Sequence, residues 1–144
     1  MILVDANLLL YAYHPQAEQH SASRAWLENV LSESELVRFA WLSVWAFLRI
    51  STNPRVFEQP LSMAEAVAAV SLWLVQPAAG ILEPGDRYWS VLSELLKKSQ
   101  ITGPRVTDAA LAALAIEHGA TLHSTDQGFS RYEGLKWRNP LLAS

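Results

Sequence analysis

Cysteine is absent from the 144 residues, which excludes a disulfide scaffold and every thiolate metal site and is compatible with a reducing compartment. Long hydrophobic runs are absent too. The longest, Phe39 to Leu48, is interrupted by Ser43 and falls short of the roughly 18 apolar residues that would span a bilayer. No basic region precedes an apolar stretch at the N-terminus, so no secretory leader is expected and the expected location is the cytoplasm. Positive charge is also short. Eleven basic residues against fourteen acidic ones give a formal charge of -3, so the molecule as a whole does not attract nucleic acid and any polyanion must be held locally. The four histidines form no H-x-x-x-H pair; His14, His20 and His118 are expected to face solvent or cap helices, and His123 has no identifiable nucleophile or base as partner.

What is present suffices for one core. With 51% of its residues apolar and no visible linker or repeat, the chain is expected to form a single domain over residues 1–144. The six tryptophans are expected mainly in the core or at a subunit contact. Met1-Ile2-Leu3-Val4 is continuously apolar, the pattern of a strand covered on both faces. A short helix over Leu8 to Tyr13 should end before Pro15, and Ala22, Ala25, Trp26, Leu27 and Val30 recur at helical spacing in a second that ends near Ser32 to Glu35. Leu36 to Ala40 reads as a strand, and Leu42, Trp45, Leu48 and Arg49 share one side of a third helix that stops before Asn53-Pro54. Ser62 and Glu65 make a capping box for a helix through Leu74. Gly80 to Glu83 is a further strand, followed by a helix whose buried stripe is Trp89, Leu92 and Leu96. Thr107 opens an alanine-rich helix closed by Gly119; strands follow at Ala120 to His123 and around Leu135-Lys136-Trp137. Strands alternating with helices indicate a three-layer α/β/α sandwich with a central parallel sheet.

Three aspartates occupy telling positions in this order. Asp5 ends the first strand, Asp108 stands at the start of a helix and Asp126 follows a later strand, so the topology can bring all three to the carboxyl-end rim of the sheet, where open α/β sheets bind ligands. Each could instead serve only as a cap or turn residue. Three carboxylates about 5 Å apart would repel by roughly 3 kcal/mol per pair, a strain that protonation or a cation relieves, and a hard cation such as Mg2+ or Mn2+ suits an all-oxygen donor set. Phosphodiester hydrolysis is the expected chemistry, with Asn7, Ser124 and Thr125 in support and Arg49 and Arg55 as candidate RNA contacts. Arg105 and Arg131 flank the acidic blocks and are weaker candidates.

At these residues the chain resembles the PIN-domain ribonucleases, in particular the VapC-type toxins of bacterial toxin-antitoxin systems. The blocks are Val4-Asp5-Ala6-Asn7-Leu8-Leu9, Ala46-Phe47-Leu48-Arg49 with Asn53-Pro54-Arg55, Val106-Thr107-Asp108-Ala109, Ala115-Ile116-Glu117-His118-Gly119 running to Ser124-Thr125-Asp126, and the closing Trp137-Arg138-Asn139-Pro140. The resemblance implies a Mg2+- or Mn2+-dependent endoribonuclease with Asp5, Asp108 and Asp126 as metal-binding aspartates, an RNA substrate, a cognate antitoxin lying across the cleft, and a homodimer. It also exposes a departure: Ala46 stands where many members carry a fourth acidic residue, usually glutamate. Glu117 is expected on the opposite face of its helix from Asp108 and cannot replace it, and Glu83 is expected farther from the cleft. The alternative is a catalytically degenerate PIN-like module that binds RNA or antitoxin without cleavage.

Overall fold

The computed structural model describes residues 1–142, so the last two positions of the expected domain, Ala143 and Ser144, lie outside the described residues. Strands β1 (Ile2–Val4), β2 (Val37–Phe39), β3 (Ala79–Ile81), β4 (Thr121–His123) and β5 (Lys136–Arg138) form one parallel sheet in the order β3-β2-β1-β4-β5. Helices α1 (Ala6–Ala12), α2 (His20–Ser32), α3 (Trp41–Ser51), α4 (Met63–Leu74), α5 (Tyr88–Lys98) and α6 (Arg105–His118) cover its two faces.

Central β1 shows why its sequence is continuously apolar. Ile2 and Val4 enter a core with α1, α2, α3 and α4, while Leu3 enters a second core with α5 and α6, and all three side chains are buried. The first core centres on Trp73, which packs against Phe39 and Phe47 and donates from Nε1 to the Tyr13 hydroxyl at 2.9 Å. In the second, α6 approaches the sheet closely because its inward face is largely alanine. Ser62 and Glu65 form the expected capping box, and Gly119 closes α6 at φ 68°, a left-handed conformation that glycine adopts without a Cβ penalty.

Several expected faces are rotated. In α2 the buried residues are Ser23, Leu27 and Val30, whereas Ala22 and Ala25 are exposed; Ser23 tolerates burial because its hydroxyl donates to the Leu8 carbonyl at 2.7 Å. In α3, Val44 and Phe47 face the core and Trp45 is 63% exposed; in α5, Leu95 is buried and Trp89 is 70% exposed. Trp41 is exposed as well; Trp73 is fully buried, Trp26 and Trp137 pack partly buried against the two cores, and Trp41, Trp45 and Trp89 face outward. Apolar residues surround these helices on most sides, so periodicity alone does not fix which side packs. Helix α6 starts at Arg105, two residues before Thr107, and Pro104 caps it without a side-chain bond. Among the histidines, His20 Nδ1 lies 2.9 Å from the Tyr11 carbonyl and His118 Nε2 lies 2.8 Å from that of Glu83, but His14 departs from the solvent-facing expectation and packs against Phe57 with ring centres 4.1 Å apart.

Candidate functional site

Parallel pairing of β1 with β4 places Val4 opposite His123, so the next residues, Asp5 and Ser124, emerge side by side at the carboxyl edge of the sheet. The Asp5 N-H donates to the His123 carbonyl at 3.0 Å, extending the ladder by one step. Asp5 is also the N-cap of α1. Its Oδ1 accepts from Ala6 N at 2.7 Å and its Oδ2 from the Ser124 hydroxyl at 2.7 Å. The capping reading of Asp5 is therefore correct and does not exhaust the residue, since each carboxylate oxygen keeps a free lone pair.

Ser124 is the organising residue. Fully buried, it gives its one hydroxyl proton to Asp5 and accepts from Asn7 Nδ2 at 3.2 Å and from Asp126 N at 3.0 Å, which saturates the hydroxyl. Its own position is fixed by its N-H donating to the Arg138 carbonyl and by Trp137 Nε1 donating to its carbonyl. Because the serine proton is committed to Asp5, the Asn7 atom facing Ser124 must be the donor nitrogen. That leaves Asn7 Oδ1 buried without a hydrogen-bond partner.

Asp126 is exposed and caps a short 3₁₀ helix over Gln127–Arg131, its Oδ1 accepting from Gly128 N at 2.8 Å. A Cβ on Gly128 would stand 3.0 Å from that oxygen, so glycine suits the close approach. Asp108 lies in the first turn of α6 and is half-buried. Thr125, also half-buried, lines a neighbouring cavity with Tyr11 and Asn139.

Asp5 feels the charge of Asp108 and Asp126, and Asp108 feels that of Asp126. Burial pushes the Asp5 carboxyl up from 3.8 to about 6 against the pull of Ser124 and Ala6, and Asp108 and Asp126 add to the rise. Burial and then Asp126 raise the Asp108 carboxyl, opposed by Arg105 and Arg131. The cations acting on Asp108 are thus the two that seemed weaker in sequence. Arg49 is exposed in the last turn of α3, where it complements the helix dipole, and Arg55 is an exposed loop residue whose N-H donates to Asn53 Oδ1 at 2.9 Å.

The donor chemistry here, carboxylate and amide oxygens with an orphaned buried Asn7 Oδ1, fits a hard divalent cation. The expected tight triad is nevertheless not formed: among the described residues no group of three or more His, Asp or Glu side chains is drawn together closely enough to hold an ion. No acid stands in for the one absent at Ala46. The Glu117 carboxylate is engaged elsewhere, accepting from Gly85 N at 2.8 Å and Arg87 N at 3.0 Å, and Glu83 lies in the same region, its carbonyl beside the His118 ring.

His123 is buried, stacks on Trp26 and leaves Nδ1 unpartnered; burial and Arg138 lower its pKa to about 4, which favours the neutral imidazole. The role of Ser124 was underestimated in sequence. Its partners are 117 and 119 residues away, and a serine after a strand carries no mark of such contacts.

Comparison with known proteins shows the family of the chain. The chain is 40% identical over 140 residues to Ribonuclease VapC37 of Mycobacterium tuberculosis, with 97% of each chain covered. It is 38% identical over 141 residues to Ribonuclease VapC43 of the same species, covering 98% of this chain and 96% of the relative. Among solved structures, VapBC2 from Rickettsia felis bound to a promoter DNA fragment superposes with a TM-score of 0.70 at 17% identity, covering 96% of this chain and 98% of that one. Residues 2–135 match the PIN domain family model, and with the shared five-stranded parallel sheet, this chain belongs to the PIN domain family.

Proposed function

We propose that this protein is a divalent-metal-dependent endoribonuclease toxin that hydrolyses RNA phosphodiester bonds, acts in the cytoplasm and is silenced by a cognate antitoxin. What supports the reading is the placement of Asp5 and the Asp126 loop at the carboxyl edge of the sheet by hydrogen bonds to Ser124, with Asp108 near enough for its charge to raise the Asp5 carboxyl. The printed names of the curated relatives, VapC ribonucleases, support the substrate class, and the VapBC assembly of the Rickettsia neighbour supports a protein partner. No helix among the described residues is long and apolar enough to cross a membrane.

Asp5, Asp108 and Asp126 would hold Mg2+ or Mn2+, with Asn7 contributing its free amide oxygen directly or through water. When bound, the ion supplies an acidified water and neutralises charge on the phosphoryl group. The protein's own part is positional. Ser124 fixes the direction of Asp5, ties it to Asn7 and sets the start of the loop carrying Asp126. Arg105 and Arg131, beside Asp108, offer cationic contacts for phosphates flanking the reacting one. The exposed Trp41 and Trp45 on α3 and Trp89 on α5 supply an apolar surface for a homodimer.

Ala46 and the open acidic arrangement favour one competing reading, a module that binds RNA or antitoxin without cutting. Incubating purified, antitoxin-free protein with total RNA in Mg2+, Mn2+ or EDTA separates the two. Wild type should cut only with metal, and Asp5→Asn and Asp108→Asn should lower cleavage by at least 100-fold while remaining folded. Folded wild type that cuts nothing with either ion would favour the binding module.

A further inference from the structure

Beside the acidic centre, α1 carries a second feature that the proposed hydrolysis does not use. Asn7, Leu10 and Tyr11 fall at i, i+3 and i+4 and share one face of α1, leading away from Asp5, and His14 follows just past the helix end. Opposite them stand Ile50 from the end of α3 and Val56 and Phe57 from the following loop, enclosing a cavity of about 230 Å³ with an almost wholly apolar lining. His14 and Phe57 form an aromatic wall, ring centres 4.1 Å apart and planes inclined at 47°. The cavity reaches the reaction site through Asn7, since hydrogen bonds of 3.2 and 2.7 Å link its amide through Ser124 to the Asp5 carboxylate.

We propose that this cavity is a nucleobase subsite, receiving by stacking the base of a nucleotide next to the scissile phosphodiester. Its volume is below that of pockets for drug-sized ligands and suits one planar ring system. Aromatic walls bind any base through its π-face, and an apolar lining offers few groups to read base edges, so the subsite selects an unstacked, single-stranded nucleotide more than a sequence. Charge agrees with this occupant. Arg55, exposed and adjacent in the chain to Val56 of the lining, places a cation near the cavity for the nucleotide's phosphate. The subsite rests on the nuclease reading for its role, while base binding itself is testable without cleavage.

The test is NMR titration of the full chain with AMP, GMP, CMP and UMP, with ribose 5-phosphate, and with N-acetyltryptophanamide as a probe for a protein side chain. Nucleotides should shift the Ile50 and Val56 methyl resonances and ribose 5-phosphate should not, with Phe57→Ala and His14→Ala each weakening the base-dependent binding roughly ten-fold. Both positions are partly exposed, so these variants should fold. Equal shifts from nucleotides and ribose 5-phosphate, unchanged affinity in Phe57→Ala, or a response to the tryptophan probe alone would overturn the proposal. If wild type fails to cut RNA yet nucleotides occupy the cavity, the nuclease reading falls and the base subsite stands. If RNA is cut with the same KM by Phe57→Ala, the nuclease reading stands and the subsite falls.

Discussion

One serine hydroxyl ties two chain segments together at the candidate site, Asp5 to Asn7 and Ser124 to Asp126. Replacing Ser124 by alanine strips the donor from Asp5 Oδ2 and the acceptor from both Asn7 Nδ2 and Asp126 N. Groups left unsatisfied in a partly buried setting cost about 1–3 kcal/mol each before any rearrangement, so Ser124→Ala should lose about 2–4 kcal/mol in urea unfolding and at least ten-fold in RNA cleavage. Because the Ser124 bond holds the Asp5 carboxyl down, its titration should move further up in the variant, as carboxyl NMR would show. Threonine restores the hydroxyl but adds a methyl where no free surface remains, and should recover the titration better than the stability.

At the scale of elements, legibility followed the range of the interactions. The capping box of α4, the glycine stop of α6 and the doubly covered β1 depend on neighbours within a few residues or on a plain apolar run, and each was readable. Which face of α2, α3 or α5 is buried depends on what lies across the core; there the periodic reading put Trp89 in the buried stripe although it is exposed, and helical spacing alone did not mark Ala22, Ala25 and Trp45 as the exposed members of their sets. Topology alone made Asp5 and Asp126 candidates, since each follows a strand of the parallel sheet; the commitment of the Ser124 hydroxyl to Asp5, Asn7 and the Asp126 N-H is set by side-chain contacts invisible in the order of residues. The glycine stop has a measurable size. Gly119→Ala forces a Cβ into φ 68° with nothing in its way but the backbone, so it should cost about 1 kcal/mol in thermal or urea unfolding and leave cleavage unchanged.

For the molecule as a whole, two buried groups near one strand end oppose each other in acid. The folded Asp5 carboxyl titrates near 6 against 3.8 when unfolded, so its favourable contribution is fully present below pH 3.8 and is lost as pH rises through 6. Folded His123 titrates near 4 against 6.5, so its contribution is present above pH 6.5 and is lost as pH falls through 4. Each amounts to about 3 kcal/mol and the windows overlap, so they largely cancel and wild-type stability should change little between pH 7 and 4.5 on their account. Single variants should unmask the two slopes. Asp5→Asn should become acid-labile, losing about 2–3 kcal/mol over that range, whereas His123→Phe should gain stability on acidification; parallel pH profiles in all three proteins would refute the pairing. The strand order has a further consequence, for folding. Since β1 sits between β2 and β4, its sheet neighbours lie on either side of it from distant parts of the chain, and β1 cannot complete its pairing until β4 is present. Asp5 and Ser124 are 119 residues apart, so a chain cut short before Ser124 would lack the bond that aims the Asp5 carboxylate.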